Sequence, residues 1–402
     1  MVSRIVNKLI LPVAAAIVLA AILILAVAPI FFMPSAIKDQ QLMIPDNKDD
    51  IVRPTFNVET IASSLQVPWA IAFASDGRIF FTERNGNLRV MENETLVAEP
   101  VGHLDVANEG EAGLLGLALD PDFENNHYVY VYYTYSENSN LYNRISRFVE
   151  EANKISEEQV LLDKIPGGSI HDGGRIKFGP DGKLYAPTGD AGSSSSSQDL
   201  NSLAGKILRL NSDGTIPQDN PFAGSPVYSY GHRNPQGLDW DPETGKPVAT
   251  EHGPTGERLI FAHDEINVIE PGGNYGWPIV IGKSDNPDYV DPILDTGDVT
   301  WAPSGASFYS ADEFPEWQNR FFVSTLRGES MKVLNLNLTA VEANNYDRAV
   351  VSIDSLFEGT YGRLRDVQQG PDGHLYILTS NQDGRGSPTA EDDRILRLVP
   401  VQ

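Results

Sequence analysis

The chain has 402 residues, 41% of them hydrophobic, which is enough for one large domain or two ordinary ones. Its formal net charge of -25 excludes a nucleic-acid-binding role, which requires a basic face. With 0 cysteines there are no disulfides, no thiolate metal site and no cysteine nucleophile. At the N-terminus, Arg4 and Lys8 precede an almost wholly apolar run from Leu9 to Met33, and no further charge appears before Lys38. That run is long enough for a bilayer, which needs about 20 residues, and its basic flank predicts export of the rest of the chain. Residues 1–38 are therefore expected to be a membrane anchor or a signal segment. An uncleaved anchor would hold the protein on the outer face of the cytoplasmic membrane. Cleavage near Pro34-Ser35-Ala36 would leave it secreted or periplasmic. Residues 39–56, polar, charged and proline-containing, read as a linker to a domain over 57–402.

From Val67 onward a loose repeat runs through the chain. An apolar segment, a turn of Pro-Asp-Gly type, a second apolar segment and a third succeed one another in each copy. The first copy is Val67–Phe73, Ser75-Asp76-Gly77, Arg78–Thr82 and Asn87–Met91. Later copies start near Gly116, Arg175, Gly237, Gly305 and Arg365, the fifth being the least regular. The period is roughly 45–70 residues, and such a unit cannot bury both faces unless it stacks on copies of itself. Radial stacking of four-stranded sheets predicts an all-β, six-bladed β-propeller; a linear β-solenoid is the competing architecture. The serine run Ser193–Ser197 reads as a flexible loop. Asn93-Glu94-Thr95 and Asn337-Leu338-Thr339 fit the glycosylation sequon, a motif with many chance matches.

The stretch Ile170–Gly192 carries the densest chemistry. Arg175–Phe178 and Lys183–Ala186 fit two strands around Pro180-Asp181-Gly182, which puts His171 and Asp190 at neighbouring outer ends of the hairpin. A histidine oriented by a carboxylate makes a general base, although turn-flanking aspartates are more often structural. Other loop residues at corresponding places are His232-Arg233-Asn234, Glu251–Pro254, Arg327, Arg363 and Arg365. Several arginines converging on one pocket would trap a polyanionic small molecule; taken singly, each reads sooner as a surface arginine of a very acidic protein. No Gly-x-Gly-x-x-Gly, P-loop, Gly-x-Ser-x-Gly or His-Glu-x-x-His motif occurs, which disfavours nucleotide cofactors and the common hydrolase and zincin sites.

The segments GEAGLLGLALDPDF, IHDGGRIKFGPDGKLY, GHRNPQGLDWDP, EHGP, DEINVIEPGGNYGWP, LRG and GRLRD, in that order, resemble the glucose/sorbosone dehydrogenase family over about Asn57 to Pro400. Their spacing is closer to its aldose sugar dehydrogenase branch. The resemblance implies a quinoprotein that oxidises aldose sugars at the anomeric carbon to lactones, with pyrroloquinoline quinone and Ca2+ as cofactors and an electron acceptor that stays open. It implies His171 as base, Asp190 as its orienting acid and Arg233 beside the reacting carbonyl. It implies quinone contacts from Glu111, Arg233, Asn234, Arg327, Arg363 and Arg365. Glu111 stands where the family's soluble branch has glutamine, and Arg327 where it has lysine. The backbone carbonyls of Gly253 and Pro254 would hold the calcium at the cofactor, and Glu265 and Tyr275 a second, structural calcium. Thr255 to His263 is longer than the family pattern. Two other functions fit part of the same residues: a calcium-dependent propeller lactonase, using His171 without a quinone, and a non-catalytic binding module. Oligomeric state is not readable from the sequence.

Overall fold

In the computed structural model, residues 53–401 are described, apart from 258–259, 285 and 343–344; the side chains of 256–261 and 342 are also outside the description. The expected N-terminal anchor or signal segment lies outside the described residues. Among these no helix is long and apolar enough to cross a membrane.

The repeat folds as six antiparallel sheets, one for each copy. The first strands of the blades are Pro68–Phe73, Leu114–Leu119, Lys177–Phe178, Pro235–Trp240, Pro303–Phe308 and Leu364–Gln369. First strands of neighbouring blades adjoin, except that the second strand of blade 3, Leu184–Thr188, meets the first strand of blade 4. The first strand of blade 6 returns to that of blade 1, so together they form the innermost ring. A first strand is buried against the next blade on one face and the previous one on the other. Pro303–Phe308 accordingly reads as a continuous, fully buried run of apolar and small residues, whereas Leu364–Gln369 carries Arg365 and Asp366 into the ring. Blade 6 takes its outer strand from the start of the domain. Phe56–Ala62 pairs with Ile395–Pro400, from Phe56↔Pro400 to Ala62↔Ile395, with one bulge. This closure leaves the ring without a free seam.

Two blades depart from the sequence reading. Blade 3's first strand is only Lys177–Phe178, paired with Tyr185 and Leu184, rather than Arg175–Phe178. Arg175 leaves the ladder because its guanidinium turns into the axis and reaches Asp366 of blade 6 at 2.7 Å. Blade 5, the least regular copy, is a complete sheet of four strands, Pro303–Phe308, Arg320–Thr325, Ser330–Leu336 and Val350–Leu356. In place of a tight Asp-Gly turn, a cluster of Tyr309, Phe314, Trp317 and Phe322 packs its first connection, with ring centroids 4.8–6.4 Å apart. The insertion after Pro254 forms a small hairpin, Thr255–Glu257 with Ile260–Phe261, outside the blade sheets.

Within each blade the first strand runs antiparallel to the second. The residues that start first strands and those that end second strands therefore share one face of the ring. The pairs Pro68↔Glu83, Pro235↔Glu251, Pro303↔Thr325 and Leu364↔Thr379 mark it. That face carries the site.

Candidate active site

His171 precedes blade 3's first strand and Asp190 comes after its second strand, Leu184–Thr188, so the antiparallel geometry brings them together. His171 Nδ1 lies 2.7 Å from Asp190 Oδ1. Asp190 also accepts from Trp277 Nε1 at 2.9 Å and Gly192 N at 2.8 Å. Burial works against the Asp190 carboxylate, but the His171, Trp277 and Gly192 donors outweigh it and hold its pKa below the ordinary value. A carboxylate kept ionised and pinned at three points fixes the imidazole tautomer with its proton on Nδ1, leaving Nε2 as an acceptor. His171 itself has a positive φ of 58°, and its backbone N–H donates to Glu111 Oε2 at 3.0 Å. Gly189 permits this close crossing, since a Cβ there would lie 1.8 Å from the His171 carbonyl oxygen.

Glu111 thus holds the histidine's backbone, and its other oxygen takes Arg385 Nη1 at 2.6 Å. Burial raises its pKa, but Arg385 and the His171 N–H overcome that and bring it to about 2. A glutamine could accept one of these bonds but would not pair with Arg385 as a charge.

Arg233 lies over the Trp277 ring, 5.5 Å from its centroid, and donates to the His252 carbonyl at 3.1 Å; its own carbonyl accepts from Asp190 N at 2.8 Å. Asn234 Oδ1 accepts from Gly173 N and Gln236 Nε2, both at 3.1 Å. Arg363 places Nε and Nη2 on Asp383 Oδ2 at 2.9 and 2.8 Å. Arg365 meets Gln236 and Ser304 at 3.2 and 3.3 Å, and burial first, then Arg363 and Arg84, lower its pKa to about 9. Arg327 stands apart: its side chain is exposed, and only the carbonyl of its neighbour Leu326 joins the cluster, accepting from Arg363.

Of the predicted site residues, Glu111 and Arg365 line a cavity at the axis, together with Trp69, Arg84, Asp172, Gln236, His252, Asp383 and Arg385, while Arg233 lines a second one beside His252. The sequence reading passed over Trp69, Arg84, Gln236, Trp277, Asp383 and Arg385. Their common signal is position, since most begin a first strand or come after a second one. Asp172, another wall residue, is buried with Oδ1 taking Gly168 N and Asn143 Nδ2, while Oδ2 has no partner. Burial, aided by Glu111, pushes its pKa up to about 7. Its unfolded value is near 3.9, so folding is unpenalised below that pH and loses stability as pH rises through 7. Asp172→Asn is expected to raise the unfolding free energy at pH 8 by about 2–4 kcal/mol, with the gain vanishing near pH 4. Paired unfolding curves at the two pH values check this.

A second, narrower cavity adjoins Gly253, Pro254, Glu265, Tyr275 and Trp277. Glu251, Glu265 and Asp295 stand opposite one another on three consecutive strands of blade 4. Burial, Glu251 and Asp295 together hold the Glu265 pKa well above its ordinary value. The Tyr275 hydroxyl donates to Val268 O at 2.6 Å and accepts from Glu270 N at 2.9 Å, so any metal contact of Tyr275 falls to its carbonyl. Among the described residues no group of three or more His, Asp or Glu side chains is arranged to hold a metal ion. The serine run is not a loose loop. Ser194–Gln198 forms a 3-10 turn, with Ser197 buried and Lys206 Nζ donating to the carbonyls of Ser196, Ser197 and Ala204. A buried ammonium needs three acceptors, and these carbonyls supply them.

The cavity leaves donors over. Arg365 Nε, Asn234 Nδ2 and Arg84 Nε are buried without a hydrogen-bond partner. Unsatisfied buried donors are rare in folded proteins and fit an acceptor-rich ligand bearing carboxylates and carbonyls. A histidine–carboxylate pair beside a cation-lined axial cavity, on the ring face of a six-bladed propeller, defines the class: the chain belongs to the Glucose / Sorbosone dehydrogenase family, whose profile matches residues 65–396. It is 32% identical to aldose sugar dehydrogenase YliI of Escherichia coli, over 82% of this chain and 91% of that one. It is 30% identical to quinoprotein glucose dehydrogenase B of Acinetobacter calcoaceticus, over 86% and 89%. The aldose sugar dehydrogenase of Streptomyces coelicolor, solved in its PQQ-bound form, superposes with a TM-score of 0.74 at 37% identity, covering 86% of this chain and 99% of that chain.

Proposed function

We propose that this protein is an exported, pyrroloquinoline-quinone-dependent dehydrogenase that oxidises aldose sugars at the anomeric carbon to lactones. The observation that carries this reading is the His171–Asp190 pair beside a cavity whose buried donors lack acceptors. Arg363, Arg365, Arg233 and Asn234 would hold the quinone's carboxylates and carbonyls. When bound, the quinone supplies the hydride acceptor that no side chain can provide. His171 Nε2 takes the proton of the anomeric hydroxyl, and Asp190 stabilises the imidazolium as it forms. Trp277 and Gly192 keep Asp190 in place, so the base does not swing away from the substrate. Glu111 does the same for the His171 backbone. Arg327 is exposed and stays outside this group of donors.

The test is sugar-dependent reduction of an artificial electron acceptor by purified protein supplied with calcium and quinone. Dye reduction that requires the quinone supports the reading. Lactone hydrolysis without quinone would establish the hydrolase instead, and sugar binding without turnover the binding module.

Calcium at the Gly253 and Pro254 carbonyls, and at Glu265 with Tyr275, belongs to the same proposal. Glu265 sits in register between Glu251 and Asp295, which pair with His232 and His263, and a divalent cation held by Glu265 and backbone carbonyls would relieve the repulsion it meets there. Chelation is then expected to lower the melting temperature, because an ion bound only by the folded state stabilises it. Glu265→Gln should remove the part of that shift that the second ion contributes and leave the part due to the ion at Gly253 and Pro254. If no ion binds there, removing one buried carboxylate raises stability with or without chelator, and calorimetry separates the two.

The apolar run at Leu9–Met33 sets the expected location. The full chain is expected to fractionate with membranes and resist alkaline extraction. A chain beginning at Asn57 should stay soluble and active. Recovery of the whole native protein as soluble material starting near Ala36 would show cleavage.

A further inference from the structure

We propose that Arg84 is a further anion-binding residue of the axial cavity, donating to a carboxylate of the quinone alongside Arg363 and Arg365; this rests on the function proposed above. Arg84 comes directly after the second strand of blade 1, Ile79–Glu83, at the place His252 holds after the second strand of blade 4, Pro247–Glu251. It lines the same cavity as Glu111, Arg365 and Asp383. Its backbone is fixed from both sides, with its N–H on Val67 O and its carbonyl taking Leu114 N, each at 3.1 Å. Gly113, with φ 143°, leaves the space that its side chain occupies. A Cβ there would lie 2.2 Å from the Arg84 carbonyl oxygen and 2.6 Å from its Cγ.

What distinguishes Arg84 from the other arginines of the cavity is its lack of a counter-ion. Its Nε is buried with no acceptor. The two acids nearest in charge are committed elsewhere. Asp383 takes Arg363 twice through Oδ2 and the Arg385 N–H through Oδ1. Glu111 takes Arg385 and the His171 N–H. Burial first, and then Arg385, work against the Arg84 charge and lower its pKa. An arginine whose task is structural would be paired, because a buried unpaired cation destabilises the fold. Arg84 is half-buried, with its Nε desolvated and without an acceptor and no acid paired to it, and this arrangement suits a preorganised binding group. A guanidinium matches a planar polycarboxylate through two parallel N–H donors, where an ammonium offers only a point charge.

The experiment measures quinone binding to the calcium-loaded protein by quenching of tryptophan fluorescence, together with melting of the quinone-free protein. Arg84→Gln is expected to weaken quinone binding about ten- to a hundred-fold, in line with one charge-assisted hydrogen bond. It should also raise the melting temperature of the quinone-free protein, since an uncompensated cation is removed. Arg84→Lys should recover only part of the affinity. Unchanged quinone affinity, including the case where only the sugar KM rises, would overturn the inference, and so would a fall in quinone-free melting temperature together with unchanged binding. Arg363→Ala separates this failure from the larger one. If Arg363→Ala loses quinone and Arg84→Gln does not, Arg84 alone is misassigned. If the unaltered protein binds no quinone, the proposed function fails and the Arg84 inference with it.

Discussion

His171→Gln is expected to lower turnover by about a hundred- to ten-thousand-fold, the usual contribution of a positioned general base. Quinone binding should stay nearly unchanged. The donors that would hold the cofactor, Arg363, Arg365 and Asn234, make their contacts with Asp383, Gln236, Ser304 and Gly173 and do not depend on the imidazole. Asp190→Asn should cost less. An asparagine can still accept from Nδ1–H, but it no longer offers a negative charge to the imidazolium. Arg363→Ala should show the reverse pattern, losing affinity first and recovering turnover at high quinone. Steady-state rates at saturating quinone, set beside binding curves, distinguish these three outcomes. Near-normal turnover of His171→Gln with quinone bound would sink the base assignment and leave His252 and Glu111 as the next candidates.

The largest effect on stability is expected from the axis rather than from any blade. Arg175 Nη1 meets Asp366 Oδ2 at 2.7 Å, its Nε donates to Gln236 O at 3.2 Å, and its guanidinium lies 4.3 Å from the Trp69 ring centroid. One side chain from blade 3 thereby touches blades 1, 4 and 6. Both charges are fully buried, and burial pushes the Arg175 pKa down and the Asp366 pKa up, each offset by the charge of the other. Gly305 makes room for the acid, because a Cβ there would lie 2.0 Å from Asp366 Oδ1. Asp366→Ala strands the arginine in a dry interior and should lower the unfolding free energy by about 3–5 kcal/mol. Replacing Arg175 and Asp366 together with apolar residues of similar volume should recover much of that loss. Urea unfolding of the single and double variants reads both, and a double variant as unstable as the single would show that the pair acts through more than its charge.

The repeat itself was legible, because alternation of apolar segments around Asp-Gly turns is a local property of the chain. So was the His171–Asp190 pair, because a short hairpin with a fixed turn fixes which residues meet at its far end. The closure of blade 6 by Phe56–Ala62 was not, since its partner Ile395–Pro400 lies at the other end of the chain and no local pattern links them. Blade 5 looked irregular for the same reason in reverse. Its first connection is held by aromatic packing around Trp317, and contacts of that kind leave no periodic mark.

The sequence by itself determined the architecture, the histidine–carboxylate pair and the surplus of arginines, all of which follow from residue type and short-range spacing. Only the tertiary structure decided how those arginines are spent. Arg175 is drawn into the axial ion pair, Arg363 is committed to Asp383, Arg385 to Glu111, and Arg84 keeps a buried Nε without an acceptor. Counter-ions are assigned by distance and burial between blades that the chain reaches hundreds of residues apart. A charge therefore becomes structural or available for a ligand only once the ring has closed.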